Sequence, residues 1–153
     1  ELMRAVIQRV LESSVSVDGK VVGQSGKGYM ILLGVVKGDT EKEAELLARK
    51  TASLRVFEDE NGKMNLSVND VSGKILVVSQ FTLCADCKKG NRPSFTPSEE
   101  PVRAKELYEF YCKKLNEYGV KRVEQGIFGA DMKVSLINDG PVTICFDTDI
   151  WSV

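Results

Sequence analysis

The sequence predicts a mixed, β-rich α/β fold, with sheets packed as a sandwich or partial barrel and two helices covering one side. The chain has 153 residues, so we expect a single domain over 1–153 with a core large enough to fold unaided. Its hydrophobic content of 42% and charged content of 28% are ordinary for a globular protein. Predicted elements follow the order strands, helix, strands, helix, strands, which disfavours a doubly wound parallel sheet.

The first part of the chain is predicted to contain four strands. Asp18-Gly19 is a strong signal for a two-residue hairpin turn between two short strands. Continuous apolar character predicts that the fourth strand is buried on both faces. The predicted strands are 4–10, 14–17, 20–24 and 29–36.

Two helices are predicted from end signals and apolar spacing. TEKE at 40–43 matches a capping box at the start of an amphipathic helix over 41–54. Ser98 is the expected N-cap of the second helix, with Pro101 in its first turn and Gly119 at its end. The buried stripe of that helix is predicted to be Ala104, Leu107, Tyr108, Tyr111 and Leu115.

Further strands are predicted between and after the helices, and the polar segment 84–97 is predicted to be an exposed loop. Asn61-Gly62 marks a turn after a short strand. The predicted strands are 55–58, 74–79, 122–125, 132–137 and 142–147.

The absence of histidine limits the chemistry. It excludes Ser-His-Asp and Cys-His catalysis and His-ligated metal sites. An enzyme with this composition must use carboxylates, lysine, backbone dipoles, a metal held by oxygens, or groups of its substrate. We expect no resident metal and no cofactor.

The cysteine pattern favours reduced thiols. Cys84-x-x-Cys87 is a candidate redox pair or half of a zinc site, but no second CxxC completes a metal shell. The plainer interpretation is two small residues at the end of a strand. We also expect no membrane span, because the longest apolar stretch, 29–36, is too short for a bilayer. No secretory signal is visible at the N-terminus, and the predicted location is cytoplasmic.

Net charge is −1, so composition permits RNA binding without arguing for it. Local basic clusters are the only candidates for phosphate contacts, and a solvated surface is the default interpretation of each. The clusters are Lys88, Lys89 and Arg92, then Lys113 and Lys114, then Lys121 and Arg122.

Four segments carry residues suited to chemistry, each with a plainer structural alternative. SQFTL at 79–83 places hydroxyl and amide groups at a strand end, where such residues also satisfy local backbone groups. NDGP at 138–141 is expected to be a hairpin turn or a cis Gly-Pro bond. KGNRPSF at 89–95 suits a phosphate or sugar contact, or is an ordinary mobile loop. GIFGADM at 126–132 offers an aromatic for base stacking, or core packing.

Together with MRAVIQRV at 3–10 and NDGPVT at 138–143, these segments resemble the D-aminoacyl-tRNA deacylase family in order and spacing. The resemblance covers the chain from Met3 to Val153. It implies an intertwined homodimer whose substrates are D-aminoacyl-tRNA and mischarged glycyl-tRNA. One departure is visible, since Cys84 and Cys87 stand where family members commonly have other residues.

The resemblance also implies roles for individual residues. Ser79 and Gln80 match a Ser-Gln motif beside the scissile ester, and Thr82 falls where a threonine nucleophile has been considered. Gly140 and Pro141 match a Gly-cisPro motif inserted into the active site of the partner subunit. The remaining implied residues are Arg9, which holds that motif, Phe81, whose amide is near the oxyanion, and Phe128 and Met132, which border the adenine pocket.

The mechanism that fits a chain without histidine uses the neighbouring ribose hydroxyl of the RNA to position or activate water. Backbone amides near Phe81 and Thr82 would stabilise the oxyanion. A Thr82 nucleophile is the competing mechanism, but no base is identifiable to activate it. The alternative functions are a non-catalytic RNA-binding module and a redox or zinc protein built on Cys84 and Cys87.

Overall fold

The structure is a computed structural model that describes residues 3–148. Within that range it contains eight strands, two α-helices and a 3₁₀ turn at Phe81–Cys84. The strands are β1 (Arg4–Val17), β2 (Lys20–Ser25), β3 (Gly28–Gly34), β4 (Phe57–Glu58), β5 (Met64–Leu66), β6 (Lys74–Ser79), β7 (Val123–Gln125) and β8 (Lys133–Asp147). The helices are α1 (Glu41–Ser53) and α2 (Pro101–Glu117).

The main sheet has six strands in the order β2-β1-β3-β6-β7, with β8 also paired to β1. β1 is antiparallel to its partners, whereas β3, β6 and β7 run parallel. The two strands at the ends of this order, β2 and β7, lie close together. The Gln24 amide of β2 donates to the Glu124 carboxylate of β7 at 2.9 Å. A Cβ on Gly23 would lie 2.5 Å from the Gln125 carbonyl oxygen. The sheet is therefore nearly closed, and the predicted partial barrel is confirmed.

Both helices pack on one face of the sheet, as predicted. That face forms the larger core, in which side chains of β1, β3 and β6 meet the apolar stripes of α1 and α2. The opposite face has a smaller cluster around Met30, Leu76 and Val78, partly covered by the first half of β8 through Val134 and Leu136. β6 is consequently buried on both sides, which makes its end a rigid support for functional groups.

The last predicted strands needed correction. The predicted strands 132–137 and 142–147 do not form a hairpin, because residues 133–137 and 142–147 both belong to β8 and both pair with β1. Gln8 pairs with Thr143 and Val10 with Asn138, so residues 139–142 lie opposite Arg9 alone. NDGP is a bulge within one long strand, and the Gly140-Pro141 peptide bond is cis. In the same way, the predicted strands 4–10 and 14–17 are one strand, β1.

The N-cap of α2 was also predicted wrongly. The cap is Glu100 rather than Ser98, and its carboxylate accepts from the Val102 and Arg103 amides at 3.1 and 2.7 Å. Pro101 occupies the first helical position, so the residue directly before it takes the cap. No helix in residues 3–148 is long and apolar enough to cross a membrane.

A buried hydrogen bond joins α1 and α2. The Thr51 hydroxyl donates to the Leu47 carbonyl at 2.8 Å and lies 2.8 Å from the Tyr111 hydroxyl, which donates to it. Both residues are fully buried. We expect Thr51→Val to lower the free energy of unfolding by about 1–3 kcal/mol, because it leaves the Tyr111 hydroxyl without a partner.

Urea unfolding of Thr51→Val, Tyr111→Phe and the double variant measures this pair. Once Tyr111 is phenylalanine, the Thr51→Val change should cost clearly less, because no hydroxyl is left stranded. Equal costs in both backgrounds would show that the two hydroxyls do not interact.

Candidate active site

A cleft of about 540 Å³ opens at the carboxyl end of β6. The 3₁₀ turn, the start of α2 and the segment before β8 form its walls. Of the residues predicted from sequence, it gathers Ser79, Gln80, Phe81, Phe128 and Met132. These come from two segments that lie far apart in the chain, and the fold brings them to one site.

The chain turns sharply after β6 and is held there by backbone contacts. The Gln80 amide donates to the Leu33 carbonyl at 2.8 Å. A side chain at position 34 would collide with this turn, since a Cβ there would lie 3.0 Å from the Gln80 carbonyl oxygen and 3.0 Å from Leu83 Cβ. Glycine at 34 therefore lets the turn pack directly on β3.

The first two backbone N–H groups of the 3₁₀ turn have no hydrogen-bond partner among the described residues. Across residues 3–148, neither the Phe81 nor the Thr82 amide donates a hydrogen bond, whereas the Leu83 amide donates to the Gln80 carbonyl at 3.3 Å. Arg4 fixes the far side of the turn by donating to the Leu83 carbonyl at 3.0 Å. Unpaired amides on a fixed turn are suited to stabilising negative charge on an oxygen.

The opposite wall is built on α2, and sequence analysis missed its contribution. Pro101, Ala104 and Tyr108 line the cleft from one face of the helix. The Tyr108 hydroxyl donates to the Val77 carbonyl at 2.7 Å, and its ring lies 6.0 Å from that of Phe128. Burial raises the pKa of Tyr108 well above its usual value, so this donor stays protonated. The apolar stripe predicted both Ala104 and Tyr108 as core residues. Both come from the N-terminal part of the stripe, and this is the part that lines the cleft.

Arg9, Gly140 and Pro141 lie outside the cleft of their own chain. Arg9 is buried and donates to the Asp139 carbonyl at 3.0 Å and to the Val56 carbonyl at 2.6 Å. Gly140 has φ +125°, and a Cβ there would lie 3.0 Å from Arg9 Nη2. The bulge is thus fixed in shape by a buried arginine, while Gly140 and Pro141 remain exposed.

Thr82 is exposed and also lies outside the cleft lining. Its Oγ1 accepts a hydrogen bond from the side-chain amide, Nε2, of Gln80. The carboxylates that line the cleft are engaged elsewhere. Glu99 accepts from the Glu100 amide at 2.9 Å, and Asp131 pairs with Lys133 at 3.0 Å. In the described part of the chain, no carboxylate or lysine contacts the hydroxyl of Ser79 or Thr82.

The two cysteines of the CxxC segment lie in different environments. Cys84 is buried and its thiol donates to the Val35 carbonyl at 3.5 Å, whereas Cys87 is exposed. Burial raises the pKa of the Cys84 thiol, which makes it a poor nucleophile. These contacts favour a structural role for Cys84, but the predicted place was wrong, because Cys84 belongs to the 3₁₀ turn and not to the end of a strand.

Comparison with known proteins decides the family. The family model described as D-Tyr-tRNA(Tyr) deacylase matches residues 6–147. The chain belongs to the D-Tyr-tRNA(Tyr) deacylase family. A curated D-aminoacyl-tRNA deacylase from Aquifex aeolicus is 60% identical over 146 residues, which is 95% of this chain and 98% of the relative. One from Magnetococcus marinus is 59% identical over 145 residues, covering 95% and 96% of the two chains.

Solved structures agree with the deacylase fold. A c-Myc DNA unwinding element binding protein matches with a TM-score of 0.88 and 43% identity, over 94% of this chain and 97% of its own. A probable eukaryotic D-amino acid tRNA deacylase matches with a TM-score of 0.83 over 95% and 99% of the two chains. At 18% identity, the second likeness concerns the fold alone.

Proposed function

We propose that this protein hydrolyses the ester bond of D-aminoacyl-tRNA and releases the free D-amino acid and tRNA. The observation that carries the proposal is the cleft, which gathers five predicted site residues in a chain that matches a curated deacylase over 98% of its length. The substrate is found where translation occurs, so the proposed location is the cytoplasm.

Catalysis is proposed to rest on positioning and on oxyanion stabilisation. Ser79 and Gln80 orient the ester. The unpaired N–H groups of Phe81 and Thr82 donate hydrogen bonds to the ester oxygen as it becomes negatively charged. Water adds to the ester carbonyl, the tetrahedral intermediate collapses, and the 3′-oxygen of the ribose leaves with a proton. Because the Ser79 and Thr82 hydroxyls contact no base in residues 3–148, we propose that the neighbouring 2′-hydroxyl positions or activates the water.

Chirality is proposed to be read by exclusion. In a homodimer, Gly140 and Pro141 of one subunit enter the cleft of the other, and their carbonyls take the space that an L side chain needs. A D side chain points outward, and glycine has none to exclude, so mischarged glycyl-tRNA is also a substrate. The support for this arrangement is that both residues are exposed and outside their own cleft, on a bulge held by buried Arg9.

The terminal adenine is proposed to lie against Phe128 and Met132. Gly126 leaves the space that Met132 fills, since a Cβ at 126 would lie 2.6 Å from the Met132 sulfur. Phe128 is half-buried against Tyr108, so its ring is held in place and remains accessible to a base.

Release of amino acid from D-tyrosyl-tRNA, compared with uncatalysed hydrolysis, tests the proposed reaction. We expect multiple turnovers without added metal or cofactor. A protein that bound this tRNA tightly and released no amino acid would instead be an RNA-binding module.

Thr82→Val tests the competing protein nucleophile. We expect the rate on D-tyrosyl-tRNA to fall by no more than about tenfold, because only the contact that orients Gln80 is lost. Thr82→Ser, which keeps a hydroxyl, is the matched control and should recover the wild-type rate. A loss of about a thousandfold or more in Thr82→Val alone would point to covalent catalysis by Thr82.

A further inference from the structure

We propose that the basic loop, residues 86–95, binds the phosphodiester backbone of the unpaired 3′ end of the tRNA substrate. The inference rests on the proposed function, because it concerns how the same cleft receives its substrate. The loop contains KGNRPSF, whose cations take no part in the catalysis described above.

The base of the basic loop is closed by backbone pairing. Asp86 and Ser94 exchange two hydrogen bonds, at 2.7 Å from the Asp86 amide and at 2.9 Å from the Ser94 amide. Inside the loop, the Lys88 amide donates to the Asp86 carboxylate at 3.0 Å. The loop therefore presents its side chains from a defined frame, which lowers the entropic cost of binding.

An aromatic contact joins the basic loop to the cleft. The Phe95 ring meets the Phe81 ring edge to face, with 5.0 Å between the centroids. Phe81 lines the cleft and is 57% exposed, so this pair stands at the mouth of the cleft. Any part of a bound substrate that extends out of the cleft past Phe81 therefore lies next to the basic loop.

The loop carries three exposed cations, Lys88, Lys89 and Arg92, none of which has an ion-pair partner in the described chain. In each of the other basic clusters one cation is already paired, Lys114 with Glu117 at 3.0 Å and Arg122 with Glu124 at 3.4 Å. Unpaired cations contribute most to phosphate binding, since no protein contact must be broken first.

The chemistry of the substrate supplies the occupant. The scissile ester joins the amino acid to the terminal ribose, so a cleft that holds this ester also holds the last nucleotide. The RNA chain that precedes that nucleotide, with its phosphates, must extend out of the mouth of the cleft, beside Phe81 and Phe95. Phosphate contacts of this kind fix position and carry no sequence information.

The test uses two substrates, D-tyrosyl-tRNA and D-tyrosyl-adenosine, and the second has no phosphate. We expect the variant Lys88→Gln/Lys89→Gln/Arg92→Gln to lose about tenfold or more in kcat/KM on D-tyrosyl-tRNA at low salt, through KM. Its kcat/KM on D-tyrosyl-adenosine should equal that of the wild type. On tRNA, the slope of log kcat/KM against log salt should become shallower by about 2.

The matched control is Lys113→Gln/Lys121→Gln, which removes exposed cations that belong to other clusters. It should change neither substrate by more than about twofold. The inference is wrong if the triple variant keeps the wild-type salt slope on tRNA, or if it loses equally on both substrates. If the triple variant loses affinity for single-stranded DNA but keeps full kcat/KM on tRNA, the loop binds DNA and not the tRNA substrate, and the inference is again wrong. Failure of the wild type to hydrolyse D-tyrosyl-tRNA would instead contradict the proposed function on which the inference rests.

Discussion

D-tyrosyl-tRNA whose terminal adenosine carries hydrogen in place of the 2′-hydroxyl is expected to be turned over no faster than it hydrolyses uncatalysed. The reason lies in the composition and geometry of the cleft. The chain has no histidine, and neither Ser79 nor Thr82 contacts a base in the described residues. We therefore propose that the ribose hydroxyl positions the attacking water.

Single-turnover rates on the deoxy substrate, each corrected for the uncatalysed rate of the same substrate, measure this effect. The matched control carries the 2′-deoxy change at the penultimate nucleotide and should react at the normal rate. Affinity for both substrates should be similar, because one hydroxyl contributes little to the binding of a whole tRNA. Enzymatic turnover of the terminal deoxy substrate at the normal rate would show that the protein activates water without help from the RNA.

Gly140→Ala is expected to lower the rate on D-tyrosyl-tRNA by about a hundredfold, or to abolish discrimination against L-tyrosyl-tRNA, while the protein stays folded. An alanine Cβ would lie 3.0 Å from Arg9 Nη2 and 3.0 Å from Val142 Cγ2, at a φ of +125° that L residues rarely adopt. The bulge must shift to relieve these contacts, and its carbonyls move with it.

Two comparisons separate this effect from a general loss of stability. Gly62→Ala also places an L residue at positive φ, +76°, but nothing lies within 4 Å of its Cβ, so its activity should be unchanged. Co-expression of Gly140→Ala with a cleft variant such as Gln80→Ala tests the contribution across subunits. Random pairing makes about half of the dimers mixed, and each mixed dimer keeps one of its two sites intact. About a quarter of the wild-type activity should therefore return. No recovery in a verified mixed dimer would place the bulge and the cleft in the same subunit.

Local signals were sufficient where neighbouring residues determine the structure. The capping box at Thr40 and Glu43 is present as predicted, because both of its hydrogen bonds form within one turn. β6 has the predicted bounds, 74–79, because the continuous apolar run inside it is what burial on both faces requires. The motif at the end of β6 likewise predicted that Ser79, Gln80 and Phe81 lie close together, and all three line one cleft.

Long-range pairing was not visible in local patterns. Gly and Pro at 140 and 141 signal a break, and nothing nearby indicates that the strand resumes against the same partner, β1. Burial alone also could not separate Tyr108, which lines the cleft, from Tyr111, which lies in the core on the same helix. That one domain spans 1–153, and that the site residues have the proposed roles, remain predictions.

The proposed function gives the cleft at the end of β6 two properties: it hydrolyses aminoacyl esters, and it rejects the L configuration. One tRNA charged separately with D-tyrosine, L-tyrosine and glycine, each treated with equal amounts of protein, tests it most directly. We expect fast release of D-tyrosine and glycine, with L-tyrosine released at the uncatalysed rate. Release of L-tyrosine as fast as D-tyrosine, or of neither, would contradict it.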